Sequence, residues 1–325
     1  MSRVEQWTAR LLVLVCALVL VVLPSGLSSD AHAQTFENWT DKLGLQQLGE
    51  PSFATGWYDI DLDGKEEAFL VGLGKLWYLD KQGQTYDLKV VELPGFAFEA
   101  APVASVSLDA DRDGKRDLML IGDRLQVFRL VAPATFEHMT MHSEIFLSVN
   151  YVSDAASGDF NSDGWPDVVI CTIGTDGQHT YPRGATDMVF MNRGGRFEVM
   201  TLEPTLRTMS HGVTAVDMNG DGRPDIVESV DFSEALGYSR ILINETPAGA
   251  RNPVFVPAPK TFDFGSFGMG AAVEDVNQDG YLDIYNTSLG RDFLMYGRAD
   301  GGFDDRTHEL GIAHDWASDV HRVQW

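Results

Sequence analysis

Five acidic loops of one design recur along the chain: Asp59-Ile-Asp61-Leu-Asp63-Gly64, Asp109-Ala-Asp111-Arg-Asp113-Gly114, Asp159-Phe-Asn161-Ser-Asp163-Gly164, Asp217-Met-Asn219-Gly-Asp221-Gly222 and Asp275-Val-Asn277-Gln-Asp279-Gly280. A further carboxylate stands three residues beyond each Gly, at Glu67, Asp117, Asp167, Asp225 and Asp283. Oxygen side chains at positions one, three and five suit a hard cation, and the Gly at six lets the chain turn back. The backbone carbonyl at position seven, on Lys65, Lys115, Trp165, Arg223 or Tyr281, can complete the cage with the carboxylate at nine. The pattern holds none of the thiolates or imidazoles that zinc or copper would select. Calcium, at about five sites, is the ion these donors predict.

From first Asp to first Asp the loops lie 50, 50, 58 and 58 residues apart. A period near fifty with one loop per unit is the mark of a repeat architecture. An EF-hand opens its loop in the same way, and Asp217 to Glu228 satisfies that whole pattern with Glu228 at the twelfth position. The other four loops place Leu70, Leu120, Ile170 and Asn286 there, where an EF-hand needs a bidentate carboxylate. Two loops carry Pro at position eight, Pro166 and Pro224. The flanks Leu118–Ile121, Val168–Thr172 and Ile226–Val230 are short, often β-branched runs that read as strands. The EF-hand reading fails.

One unit resolves into four strands. In the fourth, His211–Val216 is the first strand, and the acidic loop turns it into Ile226–Val230. Arg240–Asn244 and Val254–Pro257 follow. The third unit repeats the plan, with Met188–Met191, a turn at Asn192–Gly195, and Arg196–Val199. Four short strands per repeat of this length predict the blade of a β-propeller. The units fall at about 53–100, 101–151, 152–208, 209–265 and 266–312, with a partial unit at 313–325.

On these loops and this period the chain resembles the FG-GAP or VCBS repeats of integrin-α-like, calcium-bearing β-propellers, from about Phe36 onward. A narrower likeness is to the cartilage-acidic-protein and UnbV-type group, in which an F-x-D-x-T-x-x-x-G-[LI] stretch precedes each blade. Phe303 to Ile312 fits that stretch well and Phe36 to Leu45 loosely.

Arg3 and Arg10 flank the apolar run Leu11–Leu23, which is followed by Pro24, a polar stretch and Ala31-His-Ala33. That is the design of a signal peptide spanning residues 1–33, with the propeller at 34–325. Thirteen apolar residues fall short of the roughly 20 that span a bilayer, so no membrane span is expected in the mature chain. The expectation is export to the periplasm, the medium or the cell surface. Cys171 is then the one remaining cysteine, no internal disulfide can form, and its apolar run favours a buried, inert thiol.

The formal charge of −24 survives signal removal, because that segment holds two basic and two acidic residues. Seventeen acidic side chains sit at the loop positions, and five dications would offset ten of their charges. Such acidity argues against nucleic acid and anionic lipid as partners. No segment reads as a nucleophile elbow, a phosphate-binding glycine loop or a zinc-protease helix. His138, His142, His179, His211, His308 and His314 show no recurrent ligand spacing, and His211 reads as a satisfied strand histidine. A general acid at the loops would need a raised pKa beside a dication, which opposes that shift.

The acidic hairpins all join first to second strands and so share one face. Integrin-like propellers use the opposite face for partners, as the resemblance implies. There two loops are long: Thr172–Asp187, with His179, Tyr181 and Arg183, and Asp231–Ser239, with Tyr238. They are candidate ligand contacts or tolerated insertions.

The expected protein is an exported, calcium-binding, non-catalytic propeller that recognises an extracellular or periplasmic protein or glycan. A polysaccharide lyase on a calcium-bearing propeller and a structural module of a larger surface protein are the alternatives. Thr35–Thr40 reads as an orphan outer strand and Trp316–Trp325 as an opening first strand. These ends predict a truncated form of a propeller with at least six blades, or one that closes only with a partner; the alternative is a compact five-bladed ring in which the two end segments pair directly.

Overall fold

The computed structural model describes residues 38, 40–43, 54–72, 74–83, 85–99, 102–139, 152–174, 184–204, 207–232, 239–260 and 267–311. The signal segment, the partial unit at 313–325, and His179, Tyr181, Arg183 and Tyr238 lie outside these residues. Among the described residues no helix is long and apolar enough to cross a membrane.

The described chain is all-β, in five four-stranded antiparallel sheets whose strand order follows chain order. The first holds β1 (Ala54–Tyr58), β2 (Glu67–Gly72), β3 (Lys75–Gln82) and β4 (Thr85–Glu92). The second holds β5 (Ala104–Leu108), β6 (Asp117–Ile121), β7 (Leu125–Ala132) and β8 (Thr135–Met139). In the third are β9 (Val152–Gly158), β10 (Asp167–Thr172), β11 (Met188–Asn192) and β12 (Phe197–Thr201). The fourth runs through β13 (Met209–Val216), β14 (Asp225–Asp231), β15 (Arg240–Asn244) and β16 (Phe255–Pro257). The fifth comprises β17 (Gly268–Glu274), β18 (Asp283–Ser288), β19 (Phe293–Gly297) and β20 (Phe303–Asp305). The first strand of the fourth sheet begins two residues before the expected His211, because a register shift between Ser210 and Gly212 extends its pairing.

The first strands of successive sheets pack on one another, β1 on β5, β5 on β9, β9 on β13 and β13 on β17. This is the stacking of propeller blades, and small residues permit it. A Cβ on Gly212 would lie 2.6 Å from the Cα of Gly270 in the next blade.

The core lies between the blades and follows the period of two that a strand imposes. Leu118 and Leu120 of β6 face the first blade, while Met119 and Ile121 face the third. Val168 and Ile170 of β10 face the second blade, while Val169 and Cys171 face the fourth. A second strand covered on both sides needs apolar residues at every position. That explains runs such as Asp117–Ile121 and Asp167–Thr172, buried throughout.

The stretch that suggested the narrower resemblance ends the fifth blade. Thr307 is buried, donates through Oγ1 to Asp305 (2.5 Å) and accepts from the Leu294 N–H (2.9 Å). The motif's Asp and Thr thereby fasten the end of the blade's fourth strand to the start of its third.

Candidate metal centre

Each acidic loop joins the first to the second strand of its sheet, and all five adopt one geometry. The backbone is left-handed at position four, at Leu62, Arg112, Ser162, Gly220 and Gln278, with φ between 57° and 75°. Position six follows at φ between 85° and 91°, which only Gly adopts readily. The Gly at six was legible in the sequence. The strained residue at four was not, since only Gly220 announces it.

The side chains at one, three and five are gathered by the loop's own N–H groups. In the second loop Asp109 accepts from Asp113 N (3.0 Å) and Gly114 N (3.0 Å), Asp111 from Asp113 N (3.2 Å), and Asp113 from Lys115 N (2.9 Å). In the third loop Asp159 accepts from Asp163 N (3.0 Å) and Gly164 N (2.8 Å), Asn161 from Asp163 N (3.3 Å), and Asp163 from Trp165 N (2.9 Å). Asp217, Asn219, Asp221 and Arg223 repeat the arrangement, as do Asp275, Asn277, Asp279 and Tyr281. In the first loop Asp59 accepts from Gly64 N, Asp61 from Asp63 N and Asp63 from Lys65 N. Basic side chains reach the exposed position five: Lys65 pairs with Asp63, Lys115 with Asp113 and Arg223 with Asp221. Arg129 of β7 lies 2.6 Å from Asp111 and 3.8 Å from Asp113.

Position nine has a second duty. Glu67, Asp117, Asp167, Asp225 and Asp283 are all buried. Each accepts the N–H of loop position two: Ile60 (2.9 Å), Ala110 (3.1 Å), Phe160 (3.1 Å), Met218 (2.8 Å) and Val276 (3.0 Å). In four blades the other oxygen accepts an N–H from the third strand, at Leu130 (3.1 Å), Asn192 (2.8 Å), Asn244 (2.7 Å) and Gly297 (2.8 Å). These carboxylates are therefore structural staples as well as candidate ligands. Burial drives Asp117 up to about 6 and Asp167 up to about 7, and also raises Glu67 and Asp225. A cation in the loop would oppose those shifts.

The donor set fits calcium. Single oxygens of Asp59, Asp61 and Glu67 lie within 4.8 Å of one another, as do those of Asp109, Asp111 and Asp117. Asp59 Oδ1 is buried without a hydrogen-bond donor, a lone pair facing nothing in the protein. In the other three loops Asn161, Asn219 and Asn277 replace the third-position carboxylate and offer a neutral amide oxygen instead. Asp163→Ala should abolish calcium binding at the third loop and spare the other four. Glu66→Ala, at an exposed side chain paired with Arg116 (2.9 Å), should keep every site. Titration calorimetry separates the two, and equal losses would overturn the ligand assignment.

Each of the first three loops is also latched to the following blade. The carbonyl of position two accepts from Ala134 N on Ile60 (2.8 Å), from Asn192 Nδ2 on Ala110 (2.9 Å) and from Asn244 Nδ2 on Phe160 (2.9 Å). The second and third loops touch as well, with the Arg112 guanidinium 5.1 Å from the centre of the Trp165 ring. Sequence reading missed Asn192 and Asn244, although both end third strands and their shared place in the repeat was the available signal. Glu228, at the EF-hand twelfth position, is buried in β14 and paired with Arg240 of β15. His211 lies in β13 as expected, part-buried 3.6 Å from Asp231, and burial pushes it down to about 4, so the ring is neutral near pH 7.

Residues 109–170 and 159–228 match the family model described as FG-GAP-like repeat. No curated protein matches the sequence. Among solved structures, an Agrocybe aegerita lectin, studied for specific recognition of non-reducing terminal N-acetylglucosamine, aligns at 15% identity and a TM-score of 0.48. That alignment covers 77% of this chain and 64% of the lectin, so the chain spans less than two thirds of the lectin's length. A protein from Lactobacillus plantarum aligns at 12% identity over 79% of this chain and 70% of its own, with a TM-score of 0.48. The Photorhabdus luminescens Tc holotoxin pore aligns at 15% identity over 80% of this chain and 12% of its own, with a TM-score of 0.41. The family match covers the second to fourth blades, and the loop geometry it shares with the first and fifth makes all five sheets similar to FG-GAP-like repeats on a β-propeller fold.

Proposed function

We propose that this protein is an exported, calcium-stabilised recognition module that binds a protein or glycan partner and catalyses no reaction. The observation that carries the reading is the fivefold loop, whose side chains are gathered by the loop's own N–H groups, with three acidic oxygens within 4.8 Å of one another in each of the first two. Such a loop uses its carboxylates for holding, and none is left to move a proton. The long connections after β10 and β14 leave the opposite face of the propeller, and that is where partner contacts are expected. Export would place the loops where calcium is abundant enough for sites of moderate affinity.

A glycan array and a pull-down against extracellular proteins, each run with calcium and with chelator, test this reading. The expected result is a calcium-dependent ligand that is lost when residues 175–183 are replaced by a short Gly-Ser linker. Incubation with acidic polysaccharides is the counter-experiment. Release of unsaturated, ultraviolet-absorbing product would replace the recognition reading with that of a lyase.

A further inference from the structure

Between the third and fourth blades the interface changes character along its length. At the acidic-loop end it is apolar, with Val169, Ile226 and Leu242 in contact. At the opposite end it buries Cys171 of β10, Asp187 just before β11, and Glu228 and Arg240 of β14 and β15. Leu120 and Ile170 occupy the position of Glu228 in the two preceding blades, so the fold does not itself require a charge there. Burying such groups costs several kcal/mol per ion unless each is compensated.

Compensation is incomplete. Arg240 Nε donates to Glu228 Oε2, but Glu228 Oε1 is buried and has no donor. Four donors favour the ionised form of Asp187, against burial and the adjacent Glu228 carboxylate, which oppose it. Oδ1 accepts from Thr172 N (2.6 Å) and Thr172 Oγ1 (3.2 Å), and Oδ2 from Ser210 Oγ (2.8 Å) and Thr208 Oγ1 (3.3 Å). With both carboxylates ionised, the one guanidinium would leave one negative charge in a space closed to water. Cys171 Sγ and one oxygen each from Asp187 and Glu228 lie within 4.8 Å of one another.

We propose that Cys171, Asp187 and Glu228 form a buried site for a divalent transition metal of the zinc class, distinct in position and chemistry from the calcium loops. Sulfur beside two carboxylates selects a borderline ion over calcium or magnesium. The charges close: on binding, the Cys171 thiol releases its proton, and thiolate, two carboxylates, guanidinium and dication sum to zero. Glu228 Oε1 gains the partner it lacks. Thr172, Thr208 and Ser210 act as the outer shell that fixes the orientation of the Asp187 ligand. Where no metal is bound, the same imbalance must be met by a proton, and burial together with the Glu228 charge pushes Asp187 well above the usual carboxylate range.

Cobalt reports the two cases directly. The protein is refolded with Co2+ and excess calcium, so that the acidic loops are filled and the buried site is loaded as it forms. The expected result is one equivalent of Co2+ per chain, with thiolate-to-cobalt absorption in the near ultraviolet that Zn2+ removes. Cys171→Ser should lose this absorption, and Glu228→Gln should weaken cobalt binding, while both retain calcium-dependent melting. Folded wild-type protein that lacks the absorption would overturn the proposal. So would an infrared carbonyl band of a protonated carboxylic acid, present in metal-supplemented wild type and lost in Asp187→Asn.

Discussion

Stripping calcium from the folded protein should lower its melting temperature by on the order of 10 °C or more, and calcium should restore it where magnesium does not. An ion that binds only the native state contributes about 2.7 kcal/mol per site when its free concentration is a hundred times Kd. Three to five filled loops therefore contribute on the order of 10 kcal/mol, and for chains of this size each kcal/mol moves the midpoint by roughly 2–4 °C. The reason lies in the loop. Without a cation, the carboxylates at positions one, five and nine, joined by position three in the first two loops, repel one another, and the ninth is buried. Magnesium requires near-octahedral geometry at shorter distances and keeps its water, so it should serve these loops poorly. Scanning calorimetry of metal-free protein before and after calcium addition is the test. An unmoved melting curve would remove calcium from the account.

Phe160→Ala should cost about 3–5 kcal/mol of stability and weaken calcium binding at the third loop together with it. Phe160 occupies loop position two, yet its side chain is buried between the third and fourth blades, edge-on to Phe255 with ring centres 5.6 Å apart. Its N–H holds Asp167, and its carbonyl receives the Asn244 side chain of the next blade. Truncation thus opens a cavity between blades and loosens the segment that positions a ligand carboxylate. Val276 stands at the same position of the fifth loop but is 52% exposed, so Val276→Ala should change stability by no more than about 0.5 kcal/mol. Denaturant midpoints for both variants, with calcium titrations on each, check the pair. Equal effects would mean that position two acts through the local turn and not through the blade interface.

Much of the architecture is legible because it is local. The hairpins around each loop follow from the spacing of Asp, Asn and Gly, and Arg240–Asn244 is a strand in the structure with the limits its β-branched run predicts. The fourth strand of that unit is shorter than read, Phe255–Pro257, since Val254 instead closes a turn through Thr246.

The repeat, the four-stranded unit and the candidate loop donors are legible in the sequence, because each acidic hairpin is written within about fifteen consecutive residues and recurs every 50 to 58. Which of those candidates also staple strands together depends on contacts made only in the folded chain. Asp167 and Asn192 meet only when the third strand folds back on the second, and Asn192 reaches Ala110 only when two blades stack. The same holds for Cys171, Asp187 and Glu228. In the sequence they are a lone thiol, a loop residue and a leftover EF-hand match, 16 and 41 residues apart. Alternation along β10 and β14 points Cys171 and Glu228 into one interface, and stacking closes it to water. A charge imbalance between blades is a property of that contact, and no period within the chain encodes it.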